Sequence, residues 1–253
     1  MDHFHHQDGR LHCEEVPLTL FADAVGTPAY VLSKRTVVDH VRRLREAFGA
    51  LDTLICYAMK ANPNLALLEV FVDEGTGFDI VSGGELARAV TAGGDPGKIV
   101  FSGVGKTADE MAAALSAGVL MFNVESEEEL EVLAATASAH GRKAGIALRV
   151  NPDVDPKTHR YITTGKRESK FGVDLERAAA LAERALRLPS IELRGIQCHI
   201  GSQITTVEPY VAAVARTVEL ALALRERADT LRYLNMGGGF GIYYDDAHVP
   251  ALA

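Results

Sequence analysis

The sequence predicts an α/β fold, specifically a (β/α)8 barrel of the TIM type. Strand-like and helix-like segments alternate, the first five strands start about 21 to 24 residues apart, and several helices begin with a capping signature. The seven strand-like segments are residues 53–58, 77–81, 98–102, 120–124, 144–150, 194–200 and 231–236. A doubly wound dinucleotide-binding sheet is the weaker alternative, because no Gly-x-Gly-x-x-Gly follows the first strand.

Hydroxyl residues mark the starts of the predicted helices. Ser82, Thr107 and Ser126 are each followed three residues later by a glutamate, which is the capping-box pattern. Ser33 can cap an earlier helix, whose apolar stripe consists of Val37, Val41, Leu44 and Phe48. The helices therefore alternate with the strands as a barrel requires.

The composition limits the kinds of partner. With a net charge of −8 and no long basic run, nucleic acid and anionic membranes are poor partners, and a small metabolite is favoured. No apolar run reaches membrane-spanning length. The three cysteines, Cys13, Cys56 and Cys198, are scattered, which favours a reducing compartment and argues against a disulfide framework or a structural zinc site. We therefore expect a cytoplasmic protein.

We divide the chain into a leader and lead-in segment, residues 1–27, and a barrel domain, residues 28–253. The polar, His-rich start (residues 1–10) excludes a signal peptide, and we expect a disordered leader there rather than a metal site. The polar segment 151–171 follows the fifth strand and is expected to lie over the mouth of the barrel. Only seven strands precede Ala253, so we expect an incomplete barrel.

Lys60 is the strongest candidate for chemistry. It directly follows the first strand, and Asn62-Pro63-Asn64 then stop that strand and can cap a helix. Catalytic side chains of parallel barrels lie at the carboxyl ends of strands. A partly desolvated lysine at such a place can have its pKa lowered and form a Schiff base with a carbonyl. On position alone, a solvated lysine is the commoner alternative.

Two other strand ends carry candidate binding groups. His199 ends the sixth strand, where its ring could stack on an aromatic cofactor while the Ser202 hydroxyl binds a phosphate; a hydrogen-bonded strand histidine is the commoner alternative. Gly237, Gly238 and Gly239 follow the seventh strand and can direct backbone N–H groups toward an anion, although a simple turn is the alternative. A lysine, a flat ring and a phosphate cradle together predict pyridoxal 5'-phosphate.

Two charged residues lie inside otherwise apolar strands. Asp79 is in the second strand and Arg149 is in the fifth. Because a buried charge needs a partner, we expect an ion pair between them across the barrel. Such a pair would hold the site together rather than transfer protons.

Six motifs occur in order along the chain, at residues 57–62, 77–86, 148–152, 169–172, 199–204 and 235–242. Together they resemble the diaminopimelate decarboxylases, which share the fold-type III group of pyridoxal-phosphate enzymes with ornithine decarboxylase and alanine racemase. The resemblance extends from about Pro28 to the end of the chain. Residues 161–165 and 169–172 resemble the diaminopimelate enzymes most.

The resemblance implies decarboxylation of meso-2,6-diaminopimelate to L-lysine, the last step of lysine biosynthesis, by a homodimer with shared active sites. It implies that Lys60 forms the Schiff base with pyridoxal 5'-phosphate, that His199 stacks on its ring, and that Ser202 and the three glycines hold its phosphate. Asp79 and Arg149 would belong to the same cofactor site.

The chain departs from this family in one respect. In the family, an eighth strand carries a Glu-Pro-Gly-Arg segment, and a C-terminal β-domain supplies a proton donor and substrate ligands; neither occurs in this sequence. We therefore expect residues 1–253 alone to be unstable, with two unpaired sheet edges, and nearly inactive.

Three alternatives remain open. The first is a decarboxylase or racemase of another basic amino acid, and the second is a non-catalytic barrel homologue. The third is a barrel enzyme that binds a sugar phosphate without pyridoxal, which explains the glycines but leaves Lys60 and His199 unexplained.

Overall fold

The structure is a computed structural model that describes residues 3–154 and 171–242. The chain begins with a small antiparallel sheet of β1 (Phe4–Gln7), β2 (Arg10–Cys13) and β3 (Val16–Pro17). The His3 Nε2 atom lies 2.6 Å from Asp39 Oδ2, which ties this sheet to a later helix. The prediction of a disordered leader is therefore wrong for the described residues, because backbone pairing and this contact order them. The domain boundary at residue 28 stays a prediction.

The main sheet contains seven parallel strands in the order of the sequence. These strands are β4 (Cys56–Ala58), β5 (Gly77–Ile80), β6 (Ile99–Phe101), β7 (Met121–Val124), β8 (Ala144–Asn151), β10 (Ile191–Cys198) and β11 (Tyr233–Asn235). A short strand, β9 (Val173–Asp174), pairs in parallel with the end of β8. All seven predicted strands are confirmed, with ends shifted by up to about three residues. The strand order never reverses, so the sheet is that of a barrel rather than a doubly wound fold.

Helices connect the strands. They are α1 (Leu18–Val25), α2 (Lys34–Ala47), α3 (Leu65–Asp73), α4 (Gly83–Thr91), α5 (Ala108–Ala117), α6 (Glu127–Ala139), α7 (Leu175–Leu186) and α8 (Glu208–Arg225). The predicted caps are confirmed: the side chains of Ser33, Ser82, Thr107 and Ser126 each accept a backbone N–H of the following helix. At Thr107 both halves of the capping box form.

Successive residues of a strand point to opposite faces of the sheet, and the side chains on each face pack in a different layer. One face of the strands packs in the large core that includes the fully buried Phe78, Phe101 and Phe122. On the opposite face, a second, smaller cluster consists of Val100, Met121 and Ala147. Because side chains two residues apart share a face, the next layer along the same strands consists of Ser102, Asn123 and Arg149. The sheet thus turns from apolar to polar toward its carboxyl edge.

Some predictions concern residues outside the described ranges. The expected loop at 151–171 is described only at its ends, and the motif residues 161–165, 169 and 170 lie outside as well. Within residues 3–154 and 171–242, no helix is long and apolar enough to cross a membrane.

Candidate active site

Lys60 lies at the carboxyl end of β4, as predicted. A single turn of 3-10 helix, Met59–Ala61, follows the strand; Met59 is fully buried within it, whereas Lys60 is exposed. Asn64 then caps α3 by accepting the Ala66 N–H at 3.0 Å. The lysine is more exposed than the sequence predicts, because β4 is an end strand of the described sheet.

Asp79 lies on β5, beside the strand that leads to Lys60. Its Oδ1 atom accepts a hydrogen bond of 2.5 Å from Ser102 Oγ, which in turn accepts one of 2.8 Å from Asn123 Nδ2. Burial raises the pKa of Asp79, and the Ser102 hydrogen bond and the charges of Lys60 and Arg149 offset part of this rise. The charges of the strand-end lysine and of the arginine therefore both reach the Asp79 carboxyl group.

Arg149 forms its ion pair with Glu125. The Arg149 Nη1 atom lies 2.7 Å from Glu125 Oε1, and the two side chains are 12% and 4% exposed. The predicted direct pairing of Asp79 with Arg149 is therefore wrong. Glu125 follows β7, the neighbour of β8, whereas Asp79 lies three strands away on β5. The Phe171 ring covers the guanidinium, with 5.0 Å between its centroid and Cζ.

His199 follows β10, as predicted, and its ring contacts the glycine turn. The Gly238 N–H donates to His199 Nδ1 at 3.3 Å. Burial lowers the pKa of His199 to about 4, and the positive charges of Arg149 and Lys60 act in the same direction. The imidazole is therefore neutral at pH 7, which leaves Nδ1 able to accept this hydrogen bond.

We expect His199 to titrate near pH 4 in the folded protein, compared with 6.5 for the unperturbed side chain. Between these values the unfolded chain binds more protons, so this residue removes stability as the pH falls from 6.5 to about 4. An NMR titration of the cofactor-free intact protein, with the signal assigned through a His199→Gln variant, measures the midpoint. A midpoint above 6 would contradict the described burial.

The glycines after β11 form a tight turn against the segment that follows His199. Gly237 and Gly239 have φ angles of +69° and +94°, in the left-handed region. A Cβ atom on Gly239 would lie 1.9 Å from the Gly201 carbonyl oxygen, whereas one on Gly238 would meet nothing within 4 Å. The Gly239 carbonyl accepts the Ile204 N–H at 2.9 Å. At position 239, therefore, glycine is the only residue type that lets the two backbone segments approach so closely.

Gly239→Ala is expected to destabilise the intact protein by roughly 1–3 kcal/mol, because its φ angle and the overlap with Gly201 both oppose a side chain. Gly238→Ala is the matched control, since its Cβ atom enters open space. Urea unfolding of both variants measures the difference. Equal effects of the two substitutions would show that the turn lacks this close approach.

Two of the three predicted phosphate-binding amides are already used within the chain. The Gly237 N–H donates to Asn235 Oδ1 at 2.9 Å, and the Gly238 N–H donates to His199. Two of the three N–H groups thus have partners inside the chain, and phosphate binding by the three glycines stays a prediction. The side chains of Asn235 and His199 instead hold the first half of the turn in place.

Other donors of the turn lack acceptors in the described part of the chain. These are the backbone N–H groups of Gly239 and Phe240 and the hydroxyl of the exposed Ser202. Two amides and a hydroxyl on adjoining segments suit an anion such as a phosphate group. Anion binding by this turn stays a prediction.

Behind the site lies a buried lysine that no sequence pattern indicated. The Lys106 side chain is 0% exposed, and its Nζ atom lies 2.5 Å from Glu129 Oε1 and donates to two backbone carbonyl oxygens at 2.6 and 2.8 Å. The other oxygen of Glu129 accepts the Glu125 N–H at 2.9 Å. Lys106 and Glu129 therefore fix the residue that pairs with Arg149.

Some buried oxygen atoms near this polar edge of the sheet accept no hydrogen bond from the described residues. Among the described residues these buried atoms are Asn123 Oδ1, Glu125 Oε2 and Gln197 Oε1. Gln197 and Arg149 are register partners on neighbouring strands. Unsatisfied buried acceptors call for a bound group or ordered water. The sequence pattern that could have indicated such an atom is a single polar residue within an apolar strand, as at Asn123.

Known proteins provide an independent comparison. Residues 34–252 match the family model described as pyridoxal-dependent decarboxylase, pyridoxal binding domain. The chain belongs to the pyridoxal-dependent decarboxylase family. This pyridoxal-dependent decarboxylase domain is 49% identical over 251 residues to the diaminopimelate decarboxylase of Vibrio cholerae, covering 99% of the chain and 60% of that relative. The predicted resemblance is confirmed.

Solved structures of this decarboxylase family share the fold. The diaminopimelate decarboxylase of Helicobacter pylori, complexed with L-lysine, has a TM-score of 0.90 and 38% identity, covering 93% of the chain and 60% of that structure. The enzyme from M. jannaschii, in co-complex with L-lysine, has a TM-score of 0.92 and 36% identity, with 99% and 60% covered. The chain thus spans about 60% of the length of these relatives.

The residues of this decarboxylase domain fit a pyridoxal cofactor. An exposed lysine amine suits a carbonyl, and the neutral ring of His199 suits a flat aromatic neighbour. The amides of Gly239 and Phe240 and the Ser202 hydroxyl suit a phosphate. All of these groups lie at carboxyl ends of parallel strands, where barrel enzymes place their sites.

Proposed function

We propose that the intact protein is a carboxy-lyase that converts meso-2,6-diaminopimelate to L-lysine and CO2, with pyridoxal 5'-phosphate bound in this domain. One observation carries the proposal: a strand-end lysine, a neutral strand-end histidine and turn amides that have no acceptor among the described residues share one edge of the sheet. The chain that contains them is 49% identical to a diaminopimelate decarboxylase.

The chain's own residues divide the binding of the cofactor between them. Lys60 Nζ would hold its carbonyl carbon, and Ser202 with the Gly239 and Phe240 amides would hold its phosphate. Pyridoxal phosphate, when bound, supplies a carbonyl that condenses with amines and a conjugated ring that accepts the electron pair left by a departing carboxylate. Gly237 and Gly238 shape the turn rather than donate to the phosphate.

The charges around this binding region suit an anionic ligand. Lys60 and Arg149 are positive, whereas the neutral His199 adds no charge beside them. The positive charges of Lys60 and Arg149 both act on Asp79, whose side chain is held by the Ser102 hydroxyl. The ion pair with Glu125 fixes the position of the Arg149 guanidinium.

An activity assay of the intact protein tests the proposal. With pyridoxal phosphate and meso-2,6-diaminopimelate, we expect equal amounts of L-lysine and CO2. L-Ornithine, L-arginine and L-lysine serve as competing substrates, because another basic amino acid was the alternative. Faster CO2 release from any of them, or no release from diaminopimelate, would contradict the proposal.

We also propose that the intact protein works as a homodimer in the cytoplasm. The homodimer is what the family resemblance implies, and the three free cysteines, Cys13, Cys56 and Cys198, are in keeping with a reducing compartment. Light scattering of the intact protein measures the oligomeric state. A monomer at micromolar concentration would contradict the first part.

A further inference from the structure

We propose that Tyr210 positions the phosphate-binding amides of the glycine turn, an inference that rests on the proposed function. Tyr210 lies in the first turn of α8, and its hydroxyl donates to the Gly238 carbonyl oxygen at 3.1 Å. Its ring stacks on that of Phe240, with 5.4 Å between the centroids and 30° between the planes. One side chain therefore contacts two successive parts of the turn.

Peptide geometry explains how a bond to a carbonyl directs an amide. In a planar trans peptide the C=O of one residue and the N–H of the next point in opposite directions. By holding the Gly238 carbonyl, Tyr210 turns the Gly239 N–H away from α8. The Ile204 N–H holds the Gly239 carbonyl in the same manner and so directs the Phe240 N–H. Each of the two amides that lack an acceptor within residues 3–154 and 171–242 directly follows one of the two held carbonyls.

The peptide between Gly238 and Gly239 needs such a restraint more than most. Glycines flank it on both sides, so its plane can rotate with little steric opposition. Tyr210 is half-buried, and burial raises the pKa of its phenol to about 12, so the hydroxyl keeps its proton as a donor at neutral pH. Loss of this hydroxyl removes the restraint without emptying the space that the ring fills.

The test compares two ligands that differ only in the phosphate group. The cofactor-free intact protein and its Tyr210→Phe variant are titrated with pyridoxal phosphate and with pyridoxal. We expect the variant to bind pyridoxal phosphate about three- to ten-fold more weakly, which corresponds to one hydrogen bond, and to bind pyridoxal unchanged. Tyr233→Phe, at the amino end of β11, is the matched control.

A second variant distinguishes loss of the peptide restraint from a general loss of stability. Adding Gly238→Ala to Tyr210→Phe restricts the same peptide, because this Cβ atom enters open space, and is expected to restore part of the preference for the phosphate form. A merely structural tyrosine would weaken both ligands equally, and that result, or an unchanged ratio, would overturn the inference. Absence of any borohydride-trapped adduct on Lys60 in the wild type would instead overturn the proposed function, and the inference with it.

Discussion

Lys60→Arg is expected to lower the turnover of meso-2,6-diaminopimelate by the intact protein on the order of 10³-fold or more, as the loss of a covalent catalytic group does. The guanidinium keeps the positive charge that acts on Asp79 and His199. It stays protonated at every accessible pH, however, so it offers no amine lone pair to a carbonyl. The effect should fall on turnover, measured as CO2 release, rather than on stability.

The matched control for this substitution is Lys143→Arg. Lys143 is exposed and precedes β8, at the opposite end of the strand from the site. The control should retain full turnover and full cofactor absorbance. Retention of more than a tenth of the wild-type rate by Lys60→Arg would show that another amine performs the chemistry.

Lys106→Met is expected to destabilise the intact protein by about 3–5 kcal/mol, the usual cost of removing one partner from a buried ion pair. The substitution leaves Glu129 without its cation, and two backbone carbonyls lose a donor. Burial already raises the pKa of Glu129, and Lys106 offsets only part of that rise. The deficit should therefore narrow at acid pH, where a protonated Glu129 carries no unpaired charge.

Urea unfolding measures this cost, and two further variants isolate its origin. The exposed Lys143→Met should change stability by no more than about 0.5 kcal/mol. The double variant Lys106→Met with Glu129→Leu should be more stable than Lys106→Met alone, because no buried charge is left unpaired. If the double variant were less stable by the sum of both single effects, the two residues would not act as a pair.

The order of the strands could be predicted because each strand and each helix start has its own local sequence pattern. An apolar run such as residues 120–124 predicts a strand, and a hydroxyl residue such as Thr107 predicts the helix that follows. Strand ends in turn placed Lys60 and His199 at one edge of the sheet. The N-terminal sheet was missed, since its histidines show a polar composition rather than an apolar alternation.

Contacts between side chains were harder to predict, because they depend on the register and spacing of strands that are distant in sequence. The charge pattern identified Arg149 but not its partner Glu125, which lies just after a strand rather than within one. Lys106 lies in a loop and gave no signal at all. The glycine turn was located by composition, yet the direction of its N–H groups depends on which of its carbonyls the Tyr210 hydroxyl and the Ile204 N–H hold.

Trapping of the cofactor tests directly whether Lys60 forms the Schiff base with pyridoxal phosphate. The intact protein is incubated with pyridoxal phosphate, reduced with borohydride, digested and mapped by mass spectrometry. We predict a phosphopyridoxyl group on the peptide that contains Lys60, and none on that peptide when reduction is omitted or when Lys60 is arginine. A protein that binds the cofactor but carries the adduct only on another lysine, or that forms no adduct, would contradict the account.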